Sequence, residues 1–130
     1  MNWSDALTKT ITEFTSFEYG ASDCCQFASR YIEHKTGEPS LADKFFSYDD
    51  KQSAHAIIDD CTSLVGVVTV CLGKPIPGNP EPGDVAVLQG EDEDTVAVYT
   101  GDWFICVDMT RRELGRAIVP DSAICARWIV

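Results

Sequence analysis

Apolar residues recur at helical spacing through the first half of the chain and gather in short β-branched runs through the second. Trp3, Ala6, Leu7, Ile11 and Phe14 fall on one face of a helix running from Asn2 to Phe14, with Asn2 as its cap. A second helix is predicted from about Asp23 to Lys35. Its stripe is Phe27, Ala28, Tyr31 and Ile32; Gly20 and Ser22 supply a turn and an N-cap, and Gly37 a stop. Thr36 to Asp50 is turn-rich and aromatic (Phe45, Phe46, Tyr48) and reads as an irregular connection. Ala54, Ile57, Ile58, Cys61, Leu64 and Val65 repeat at helical spacing and give a third helix. Val67 to Leu72 either extends that helix or forms a strand, and periodicity does not decide between them.

Gly73 to Pro82 holds four of the six prolines and ends the helical half. Beyond it the pattern changes to strands at 83–88, 95–99, 103–107 and 126–129. The plan is α+β: one domain over residues 1–130, with a helical half of about 1–72 packed on an antiparallel sheet of about 83–130.

Composition narrows the options. An apolar share of 45% with 10% aromatics belongs to a chain that folds. No apolar run reaches the roughly 20 residues of a membrane span. The start Met1-Asn2-Trp3-Ser4-Asp5 has no basic stretch leading into an apolar one, so synthesis in a cytoplasm without a signal peptide is expected. A net charge of −11 repels phosphate backbones and argues against nucleic acid as a partner, mimicry of DNA being the exception. Glu91-Asp92-Glu93-Asp94, between two strand-like segments, reads as a solvated hairpin loop; it lacks the ligand spacing and turn glycine of a calcium loop.

The six cysteines, at 24, 25, 61, 71, 106 and 125, form no Cys-x-x-Cys pair, and only two histidines are present. No metal and no cofactor are expected from that inventory. Cys61, Cys71, Cys106 and Cys125 lie in apolar segments and read as small core residues. Cys24 differs, because it falls at the first turn of a helix, where the dipole favours the nucleophilic thiolate. Cys25 reads as a small residue facing the core, and a vicinal disulfide with Cys24 would be strained. Trp3 and Trp128 are expected to tie the ends of the chain to the core, and Trp103 to be partly exposed.

Asp23-Cys24-Cys25-Gln26-Phe27, then Gly83-Asp84-Val85, then Thr95-Val96-Ala97-Val98-Tyr99-Thr100-Gly101 stand in the order of three landmarks. Together they resemble the NlpC/P60 family of papain-like cysteine peptidases, whose motifs look like Asp-Cys-Ser/Gly-x-Phe, Gly-Asp-hydrophobic and His-Val-Gly-Ile-Tyr-x-Gly. The N-terminal Trp helix, Asp-Cys-Cys-x-Phe-Ala, Thr36-Gly37 and Trp128-Ile129 resemble a short branch of that superfamily found in tailed bacteriophages and prophages. The resemblance implies a papain-like fold in which Cys24 matches the nucleophile. It implies that Thr95 stands where the general-base histidine belongs, and that Asp108 is the acid nearest the position that orients that histidine. Asp84 reads as a turn and strand-start device.

Threonine has no pKa near neutrality and can neither take the thiol proton nor give one to a leaving amine. Asp23, being negative, would raise the Cys24 pKa if its side chain lies near. His34 is about 15 Å further along the same helix and too far to serve. His55 opens the third helix at a distance from Cys24 that sequence does not give. Two functions follow. One is a phage tail or tail-tip assembly protein, resident in the virion, with a papain-like domain lacking a complete Cys-His dyad; its partners would be other tail proteins. The other is a cysteine peptidase or amidase opening peptidoglycan peptides during entry, with Cys24 as nucleophile and His55 as candidate base.

Overall fold

A computed structural model describes residues 1–38 and 47–130. It is α+β. Among the described residues, four helices precede a five-stranded antiparallel sheet. Helix α1 spans Trp3–Glu13, α2 Cys24–Thr36, α3 Lys51–Asp60 and α4 Leu64–Leu72. Strands β1 (Val85–Leu88), β2 (Thr95–Tyr99), β3 (Phe104–Asp108), β4 (Glu113–Ala117) and β5 (Ile124–Trp128) assemble in the order β4-β3-β2-β1-β5. Phe45 and Phe46, expected in an irregular connection, lie outside the described residues.

The first two helices begin and end for local reasons. The Asn2 side chain accepts the Asp5 N–H, capping α1. Asp23 caps α2 by accepting the Gln26 N–H, and Gly37 closes it in the left-handed region at φ 79°. The expected cap Ser22 instead accepts the Glu18 N–H in the preceding turn. The single third helix is corrected to two, α3 and α4, which meet at 74°. Thr62 turns the chain with φ 78°, and Ser63 restarts it by accepting the Gly66 N–H. A side chain at Gly66 would run into the Cys61 carbonyl. Apolar periodicity continues across this break, which is why a pattern alone joins the two pieces. Val67 to Leu72 is helical.

The core lies between the helices and one face of the sheet. Leu7, Phe27, Tyr31, Leu64 and Val68 pack there on Val85, Val87, Val96, Val98 and Trp128. The opposite face carries Leu88, Ala97 and Phe104, with Tyr99, Val119 and Ile124 against them. Strand β1 lies between β2 and β5 and is buried on both faces, so it reads Val-Ala-Val-Leu without polar alternation. Strand β4 is not foreseen by the sequence pattern. Glu-Leu-Gly-Arg-Ala has no apolar run, and this edge strand is defined by its pairing with β3, from Phe104 with Ala117 to Asp108 with Glu113.

Trp128 is buried, and its indole N–H donates to the Gly73 carbonyl at 2.9 Å. Trp3 is half-buried against Gly83, where a side chain would collide with its ring. Trp103 is half-buried beneath the Arg116 guanidinium, 4.9 Å from the ring centroid. Cys61, Cys71 and Cys106 are half-buried, but Cys125 is exposed, which corrects its assignment to the core. Its strand neighbours Ile124 and Ala126 are partly covered. No single helix among the described residues is long and apolar enough to cross a membrane.

Candidate functional site

The geometry of the site begins with Asp23. One carboxylate oxygen accepts the Gln26 N–H at 2.9 Å, and the other accepts the Gly20 N–H at 2.8 Å. The Tyr48 hydroxyl also hydrogen-bonds this carboxylate. Gly20 sits at φ 84°, where a side chain would strike the Tyr48 carbonyl, so only glycine lets the two segments close on Asp23. Asp23 is 3% exposed and is committed to holding the start of α2. Burial, first of all, pushes the Tyr48 hydroxyl well up, and the neighbouring anionic groups add to it.

Helix α2 packs on β2 and β3, so Cys24, its first residue, meets the start of β2. The half-buried Cys24 sulfur faces the Cys25 thiol, the Val96 backbone N–H and the Thr95 hydroxyl. Hydrogen-bond donation by Cys25 holds the Cys24 thiol below its ordinary value, against burial and the Asp23 charge; Val96 and Thr95 assist. Cys25 is pushed well above its ordinary value because its proton is engaged with Cys24 and because it is desolvated. Asp23 therefore acts in the direction expected from sequence but is outweighed. Thr95 Oγ1 is enclosed and has no conventional hydrogen-bond partner, which leaves the Cys24 sulfur as the polar group it faces. Cys24 and Thr95, which the resemblance matches to a nucleophile and a base position, thus stand side by side.

Asp108, the acid that the resemblance sets nearest the orienting position, lies at the end of β3. The β2–β3 register, continued two residues past Ala97 with Cys106, sets Asp108 level with Thr95. Its Oδ1 accepts the Thr110 and Arg111 N–H groups at 2.9 and 3.1 Å and so caps the β3–β4 turn. His34 Nε2 lies 2.6 Å from Glu13 Oε1, a link between α2 and α1. His55 is the residue that sequence could not locate. It lines the same cavity as Cys24, with Nε2 2.9 Å from Glu93 Oε2. The acidic run does occupy the β1–β2 hairpin as expected, and Glu93 within it makes this contact.

That cavity, about 100 Å³, lies between α2, α3, α4 and the inner face of the sheet, and its walls include Ile32, Ile57, Val67 and Val68. A wider recess of about 590 Å³ shares Tyr19, Glu93 and Met109 with it and is rimmed by Glu18, Asp49, Asp50 and Arg112. Among the described residues, no group of three or more His, Cys, Asp or Glu is arranged to hold a metal ion.

Burial pushes the Cys71 and Cys106 thiols up to about 11. A pKa raised in the folded state means that the neutral form is favoured there. The contribution is complete below the unfolded value and is lost as pH climbs towards the folded one. Thermal stability is expected to hold up to about pH 8 and to fall between pH 9 and about 11. Replacing both residues by Ala should flatten that decline in a pH series of melting curves, whereas an unchanged slope would show that these thiols do not control it.

Over residues 1–130 the chain matches the family described as Domain of unknown function (DUF6950), and it belongs to that family. No curated protein matches it.

Proposed function

We propose that the chain is a papain-like, NlpC/P60-type domain of a bacteriophage tail tip that keeps the cysteine position without its histidine. It serves in tail assembly, bound to other tail proteins in the virion, and not as a hydrolase. The observation that carries the reading is Cys24 at the head of α2 facing Thr95 at the head of β2. A thiol opposed by a hydroxyl has no group that takes its proton at neutral pH and returns it to an amine. The tail assignment itself rests on the resemblance of Asp23-Cys24-Cys25, Gly83-Asp84-Val85 and Thr95 to Gly101 to phage sequences, since fold alone does not define function.

The test has two arms. The purified chain, incubated with muropeptides, should release no new amine, and antibodies to it should label tail tips of intact virions. Amide cleavage that disappears in Cys24→Ala would end the non-hydrolytic reading. Virions without the protein, together with normal tail assembly after deletion, would end the tail assignment.

One observation favours a second reading, a cysteine peptidase or amidase acting on peptidoglycan peptides. Cys24 and His55 line one cavity, and Glu93 is positioned to orient the imidazole. In that case His55→Ala would abolish cleavage while leaving the melting temperature nearly unchanged, because the His55–Glu93 contact is half-exposed.

A further inference from the structure

We propose that Cys24 is an acyl acceptor for small thioesters, with a short acyl chain lodged in the cavity behind it. The inference rests on the reading that no general acid serves Cys24, and it names what such a site still takes. The cavity is walled by Ala28, Ile32, Ile57, Ile58, Val67 and Val68, so the part of an occupant that enters it is hydrocarbon. Cys24 and Cys25 enter its wall where α2 begins, and His55 of α3 and Glu93 of the β1–β2 hairpin line it elsewhere. A ligand that fits both features carries an electrophilic carbon at the thiol and an apolar tail inward.

The leaving group then decides the class. An amide must have its nitrogen protonated as it departs, and the groups facing the Cys24 sulfur are a hydroxyl, a backbone N–H and the engaged Cys25 thiol. A thioester's leaving group is a thiol that ionises near 8.5 and departs without help. The step balances: the Cys24 sulfur–carbon bond forms, the donor's carbon–sulfur bond breaks, and the Cys24 proton passes through solvent to the released thiol. Removing the acyl group needs an activated water. The same lack of a base therefore leaves Cys24 acylated instead of turning over.

Size sets the chain length. A cavity of about 150 Å³ is known to accept benzene, and this one is about 100 Å³, room for about four carbons.

The experiment incubates the full chain at neutral pH with acetyl, butyryl and dodecanoyl thioesters of N-acetylcysteamine and maps acylation by mass spectrometry. Butyrylation is expected on Cys24 at least tenfold faster than on the exposed Cys125. It should rise roughly fourfold per methylene from acetyl to butyryl and collapse at dodecanoyl. Val68→Phe, which fills the cavity, should slow butyrylation at least tenfold while iodoacetamide still alkylates Cys24 within twofold of the parent rate. The wild-type chain-length series decides the matter if that variant does not fold. No acyl group on Cys24, faster acylation of Cys125, or rates indifferent to chain length would each overturn the proposal. Rapid loss of acyl from Cys24, or cleavage of muropeptide amides, would instead overturn the reading that the site lacks an acid and base, leaving the acceptor role supported.

Discussion

Replacing Arg127 by Met is expected to cost the fold about 3–5 kcal/mol, the usual loss when one partner of a buried ion pair is removed. Asp84, 4% exposed, follows the left-handed Gly83 at the start of β1, and Arg127 Nη1 reaches its Oδ2 at 2.7 Å across the β1–β5 pair. The same guanidinium donates to the Gly78 and Pro77 carbonyls at 3.1 and 2.8 Å, fixing the Pro-rich approach to the sheet. Asp84 Oδ2 also accepts the Glu81 N–H, as a turn device should. Once the arginine is gone, the carboxylate stays buried with one backbone donor, and the Gly78 and Pro77 carbonyls lose theirs. Urea denaturation would read the loss directly, and the melting temperature should drop by about 10–20 °C for a domain of this size. Arg127→Lys keeps the charge but not the fork and should fall between the two. A loss below about 1 kcal/mol for Arg127→Met would mean that water screens the pair like a surface bridge.

That pair also shows where sequence reading stops. The Gly-Asp dipeptide announces a turn and a strand start, and both are present. Its arginine lies 43 residues away on the partner strand, and nothing local marks it. The same division runs through the fold. Helices α1 and α2 are legible because their apolar stripes, the Asn2 cap and the Gly37 stop are local signals, although the cap of α2 is Asp23 and not Ser22. The α3–α4 break is not legible, because Thr62, Ser63 and Gly66 interrupt the backbone without interrupting the apolar repeat. Strands β1, β2, β3 and β5 carry β-branched or aromatic runs, while β4 takes its form from β3. In the site, motif order alone pairs Cys24 with Thr95. His55 was invisible as a neighbour because its approach depends on how α3 lies over the β1–β2 hairpin, through Glu93.

Cys24 should be alkylated faster than the partly buried Cys71 and Cys106, by at least about tenfold at pH 7. The magnitude follows from two opposed effects. Cys71 and Cys106 are held at about 11 by burial, while Cys24 lies below the ordinary 9.0, so Cys24 carries at least a hundredfold more thiolate. Nucleophilicity falls with pKa at a Brønsted slope near 0.4–0.5, which returns about tenfold of that advantage. The remainder is the expected ratio. Peptide-resolved alkylation across pH 6–10 should show the Cys24 rate levelling off below the ordinary thiol value while the other two are still climbing. Thr95→Val, which removes one donor and little volume, should move that plateau to higher pH, and less than loss of the Cys25 thiol would, since Thr95 is the smallest of the named influences. If Cys24 reacts as slowly as Cys71, burial and the Asp23 charge outweigh the donors around the sulfur. The first residue of α2 is then packing material, and both the acyl-acceptor site and any hydrolase built on it lose their nucleophile.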